Sequence, residues 1–87
     1  MIKFWAKVIT DDKLSKSIIF EDFVLFNREN FEKSVAKLCE VLDEPCPILL
    51  SKHFNHFNEF NITHFSKTDF IENVKFDKLI IENALRD

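Results

Sequence analysis

Three histidines and a glutamate fall between positions 53 and 64, and they are the residues whose spacing could do chemistry. On a helix His53 and His56 stand at i and i+3 and can converge on one ion. Glu59 extends the same column and His64 can return from the following element, which together make a nitrogen and oxygen ligand set suited to zinc. No other cofactor is implied. Against that reading, no thiolate stands at a matching spacing, and Asn55, Asn58 and Asn61 give the stretch the look of a solvated helix face, the default place for such histidines.

A nucleophilic site would need Cys39 or Cys46 beside a histidine oriented by a carboxylate. All the residue types are present, yet no local signature surrounds either cysteine. The spacing is too long for a Cys-x-x-Cys redox or zinc motif, so the pair reads as a buried helix thiol and a loop thiol. Adjacent carboxylates, Glu21 with Asp22 and Asp43 with Glu44, point in different directions and make no acid and base pair. The chain contains no glycine. Dinucleotide fingerprints, phosphate-binding loops and nucleophile elbows all need it, for positive φ or for close approach of backbone to ligand, so those enzyme classes are excluded. No catalytic residue is assigned, and the reading favours a protein that is not an enzyme. Any left-handed turn must fall on Asn or Asp.

The elements that would position these residues follow from periodicity. In residues 2–9, Ile2, Phe4, Ala6 and Val8 alternate with Lys3, Trp5, Lys7 and Ile9, which is the period of a half-buried strand with Trp5 and Ile9 on the wetter face. Turn residues at 10–13 and a β-branched, aromatic run over 14–24 predict a β-hairpin. Consecutive Ile18, Ile19 and Phe20 imply burial on both faces or a bulge. Asn27 or Asn30 can cap a helix over about 28–43, in which Phe31, Val35, Leu38 and Leu42 form one apolar stripe, until Pro45 and Pro47 end it. A short helix is predicted over 51–60, a strand over 62–65, a turn over 66–69, and a last, interior strand over 75–81 or a little further.

At 87 residues the chain makes a single domain, residues 1–87. The net charge of -3 disfavours nucleic acid and anionic membrane surfaces as partners. No apolar run approaches membrane-spanning length, and the first residues lack a signal-peptide core, so the expected compartment is the cytoplasm.

Pro45-Cys46-Pro47-Ile48-Leu49-Leu50, then Phe57, Thr63-His64-Phe65, Asp69-Phe70-Ile71-Glu72 and Phe76-Asp77-Lys78-Leu79 form a pattern that resembles a family of small uncharacterised proteins common in anaerobic Firmicutes. The likeness extends to the N-terminal hairpin and to Leu38-Cys39, and it implies no activity. The family pattern has Trp where Leu49 stands, Arg where His64 stands, and no histidine at positions 53 and 56.

Eleven Phe are a large share of the core-forming side chains. Phe54, Phe57 and Phe60 recur every three residues and either close the core or, with Trp5, form an apolar surface for a protein partner or a second copy. The reading is an α+β domain, a small, mainly antiparallel sheet of N-terminal hairpin and C-terminal strands packed against one main helix with a short second helix at its edge. The function expected of it is a non-enzymatic interaction module, an accessory or regulatory subunit. An inhibitor encoded by a mobile element belongs to the same class. The alternative is a metal- or small-ligand-binding protein built on His53, His56, Glu59 and His64.

Overall fold

The alternation of residues 2–9 becomes strand β1 (Ile2–Thr10), which turns back through Asp11 and Asp12 into β2 (Lys13–Asp22) in a computed structural model that describes residues 1–85. Both turn residues have positive φ, 51° and 62°. A two-residue hairpin turn asks for this because its backbone twist then matches that of the strands. The Asp77 carboxylate accepts the Asp11 N–H at 2.7 Å and holds the turn from outside.

Helix α1 (Arg28–Leu42) follows, capped by Asn27, whose side-chain oxygen accepts the Asn30 N–H at 2.8 Å. It ends at Asp43 in the left-handed conformation. Then come α2 (Ser51–Phe60), a left-handed Asn61, β3 (Ile62–Ser66), a single 3-10 turn over Lys67–Asp69, and β4 (Lys78–Asn83). All positive-φ residues among those described are Asp or Asn, as a chain without glycine requires.

The four strands form one antiparallel sheet in the order β2-β1-β4-β3. The fold is therefore α+β, with both helices on one face. Phe4, Ala6 and Val8 of β1, Leu79 and Ile81 of β4, and Phe65 of β3 meet the α1 stripe of Phe31, Val35, Leu38 and Leu42 in a single core. Each of these side chains but Ala6 contributes about 1.5–3 kcal/mol of burial. α2 packs over the outer strand β3. Ser34, buried in α1, donates to Asp22 at 2.8 Å, and Lys37 reaches the same carboxylate at 3.1 Å, which ties the helix to the end of β2 and lowers the Asp22 pKa.

Two expected boundaries and one burial pattern shift. β2 stops at Asp22 rather than 24 because Asp22 already pairs with Ile2, the first residue of β1, and there is no strand beyond it to bond. Ile18, Ile19 and Phe20 are not buried on both faces, since Ile19 is exposed. The bulge lies earlier, where Val8 pairs with Lys16 and Ile9 with Leu14, leaving Ser15 as the extra residue with its hydroxyl on the Val8 carbonyl. The last strand starts at Lys78 and runs to Asn83, and it lies in the interior of the sheet. Residues 75–77 are taken up otherwise, with Phe76 set edge-on against Phe70 at 5.3 Å.

Candidate functional site

His53 is the third residue of α2, and its side chain is 3% exposed. Its Nδ1 accepts the Leu50 N–H at 3.0 Å, because Leu50 has no side-chain acceptor to offer the start of the helix. Nε2 faces Asp69 Oδ2 at 3.7 Å, and the ring packs on Phe65 at 4.4 Å between centroids. Asp69 is itself held by the Ser66 N–H at 2.9 Å. Burial, the larger influence, lowers the His53 pKa against the pull of Asp69, so the neutral ring with its proton on Nε2 is favoured. The histidine is a helix cap, bonded through Nδ1 and facing the Asp69 carboxylate with Nε2.

His56 and His64 are exposed, and His53, His56, His64 and Asp69 border a surface cavity of about 200 Å³ together with Lys52, Thr63 and Ser66. Glu59 is exposed and does not border it. Thus the fold gathers three of the four expected ligands but commits one of them to backbone and carboxylate, and adds the Lys52 ammonium, which opposes a cation. Among the described residues no group of three or more His, Cys, Asp or Glu is placed to hold a metal ion.

The aromatic residues separate in a different way. Phe57 is 3% exposed and sits at the centre of the core, 5.3 Å from Phe4 and 5.1 Å from Phe31 between ring centroids. Phe54 is half-buried, stacked on Phe26 at 5.6 Å and edge-on to Phe31 at 5.5 Å. Phe60 is 56% exposed at the end of α2 beside His56. Of the surface expected around Trp5, Phe54, Phe57 and Phe60, Phe57 is withdrawn into the core, and Trp5 lies on a strand face that points away from the helices.

That strand face is the second candidate. With both helices on one side, the other side of the sheet has no covering element among the described residues. The register sets Ile19, Trp5, Glu82 and Ile62 in one row across all four strands, and Ser17, Lys7, Ile80 and His64 in the next. Trp5 is 40% exposed at its middle. The indole N–H donates to Ser17 Oγ at 2.8 Å, the Lys7 ammonium lies 3.8 Å from the ring centroid, and Lys7 also pairs with Glu82. A neighbouring pair, Lys3 with Glu21 at 3.8 Å, repeats the arrangement. Trp5 is thus oriented by three strands, with its polar atom satisfied and apolar ring left at the surface. Ile19, Ile62 and the strongly exposed Phe23, just beyond β2, extend the apolar area. Alternation in the sequence marks Trp5 for the wet face; its contacts with Ser17 and Glu82 depend on strand order, which no local pattern carries.

No helix among the described residues is long and apolar enough to cross a membrane. No protein-family model, no curated protein and no solved structure matches this chain.

Proposed function

We propose that the protein is a non-enzymatic interaction module, an accessory or regulatory subunit, that works through the uncovered face of its sheet. The observation that carries the reading is Trp5, oriented at the centre of a four-stranded face on which Lys7 pairs with Glu82 and Lys3 with Glu21. Because Lys7 with Glu82 and Lys3 with Glu21 balance, the face has little net charge to attract a phosphate backbone or an anionic lipid. It offers apolar contact to a surface of its own kind.

A second copy of the chain meets that requirement. Both signs of charge alternate with apolar residues on one patch, which is what a two-fold interface needs to be self-complementary. Four strands about 4.8 Å apart and about six residues of 3.3 Å rise give a footprint of about 19 by 20 Å, about 380 Å² a face and about 760 Å² for two. That lies below the usual size of a specific, stable contact and corresponds to a weak, reversible dimer.

The single Trp reports on this face directly. Its emission should shift to the blue and resist acrylamide quenching as protein concentration rises, and Ile19→Glu should hold it at the dilute value. Emission and quenching independent of concentration would refute the pairing. If they change only when a different protein is added, the face has another occupant and self-pairing is wrong.

A further inference from the structure

Where β1 begins and β4 ends, a cavity of about 290 Å³ opens between that end of the sheet and the second half of α2. It deepens toward Phe4 and Phe57, both buried, and one wall is the half-buried ring of Phe26, 5.8 Å from Phe57 between centroids. Met1 and Leu85, 42% and 45% exposed, border it on the outside.

The polar part of the border is three asparagines, Asn58, Asn61 and Asn83. The Asn83 N–H bonds the Asn61 carbonyl at 2.8 Å, and the side chains meet as well, with Asn83 Nδ2 donating to Asn61 Oδ1 at 3.0 Å. Asn83 Oδ1 in turn accepts the Leu85 N–H at 3.0 Å. This chain of bonds fixes which way the Asn61 and Asn83 amides face. It leaves the Asn61 amino group, a double donor, and the Asn58 amide without hydrogen-bond partners among the described residues. No charged side chain turns inward. Lys3 borders the cavity, but it alternates with Phe4 along β1, and its ammonium lies 3.8 Å from Glu21 on the uncovered side of the sheet.

We propose that this cavity binds a neutral, flat, two-ring aromatic molecule that carries a carbonyl as hydrogen-bond acceptor. Size, lining and charge each narrow the choice. An apolar cavity of about 150 Å³ holds benzene, so one about twice as large suits two fused rings. The Phe26 and Phe57 rings favour another ring set offset or edge-on against them. An ion would give up its hydration with no opposite charge to meet, whereas an acceptor meets the Asn61 amino group. An apolar cavity with a few fixed polar groups is the usual form of a small-ligand site. It lies on the helix side of the sheet, apart from the Trp5 face, so either can fail without the other.

The test titrates the full isotope-labelled chain with coumarin, a neutral two-ring lactone, and follows the N–H resonances by NMR. Expected are saturable shifts at Phe4, Phe26 and the side-chain amides of Asn58 and Asn61, with a dissociation constant below about 1 mM, and a Trp5 indole N–H that stays in place. Naphthalene has the two rings and no acceptor, and should bind about tenfold more weakly. Coumarin-3-carboxylate adds a negative charge to the same rings and should leave the spectrum unchanged. Asn61→Asp keeps an acceptor for Asn83 and accepts the left-handed backbone but loses the amino donor, so it should weaken coumarin about tenfold and leave naphthalene as it was. No shifts up to the solubility limit, naphthalene or the carboxylate binding as tightly as coumarin, an unchanged coumarin affinity in Asn61→Asp, or shifts gathered around the Trp5 indole would each overturn the proposal. The comparison of the three probes needs no variant and decides the matter even if Asn61→Asp fails to fold.

Discussion

The imidazole of His53 and the carboxylate of Asp69 face each other at 3.7 Å, and this relationship joins the start of α2 to the turn that follows β3. The other ring nitrogen accepts the Leu50 N–H, so protonating the ring sets a new N–H against a backbone donor. Burial, working the same way, holds the His53 pKa below its ordinary 6.5. A group whose pKa is depressed by folding contributes stability that is present above its unfolded pKa and lost as pH falls through the folded one. Urea unfolding should therefore show stability falling as pH drops below about 6.5, on top of the loss from carboxylates at lower pH. In His53→Gln this part of the slope should be absent. At pH 7.5, His53→Ala should cost about 1–2 kcal/mol through the lost cap. An unchanged pH slope in His53→Gln would show that the ring is not held neutral.

Zinc provides a separate check on the same residues. With Nδ1 of His53 bonded to the Leu50 N–H and the Lys52 ammonium beside the cavity, equimolar zinc should leave the melting temperature where it was. A rise with zinc that His56→Ala abolishes would restore the metal reading.

Phe57 and Phe60 are one turn apart on α2 and have opposite environments. Phe57→Ala removes a ring wedged between Phe4 and Phe31 and should cost about 3–5 kcal/mol in denaturant unfolding. Phe60→Ala should stay within about 0.5 kcal/mol of the parent. Equal losses would mean that the α2 rings share one environment.

The left-handed residues give a stabilising prediction. Asp12 and Asn61 have φ of 62° and 61°, and Asn61 Oδ1 also accepts the Asn83 side-chain N–H at 3.0 Å, a bond that glycine would remove. Asp12→Gly should raise stability by about 0.5–1 kcal/mol, less whatever glycine adds to the unfolded chain's entropy, and Asn61→Gly should fall short of that gain by about 1 kcal/mol. Thermal unfolding checks this. A loss in Asp12→Gly, or an equal gain in both variants, would contradict it.

Much of the fold was legible because it rests on local periodicity. Ile2, Phe4, Ala6 and Val8 alternate in the sequence and line the core in the structure, and the Phe31 to Leu42 stripe does so at helical spacing. The lack of glycine directs the left-handed turns to Asp and Asn, where they fall. What was hidden depends on contacts between distant or reversed segments. That His53 turns its Nδ1 back to Leu50 follows from a helix start with no other cap. The histidine spacing suggested ligands, while the local need was for a hydrogen-bond acceptor. The phenylalanine spacing suggested one surface, but a step of three drifts around the helix and leaves Phe57 inside and Phe60 outside.

The central claim, that the face around Trp5 pairs with a second copy, is tested most directly by sedimentation equilibrium across a wide range of protein concentrations. The account predicts a mass that rises from 10.4 kDa toward twice that value, with a dissociation constant weaker than about 1 µM, and a Trp5→Ala chain that stays at 10.4 kDa throughout. A parent chain that remains at 10.4 kDa at every concentration, or a Trp5→Ala chain that associates as the parent does, would contradict it.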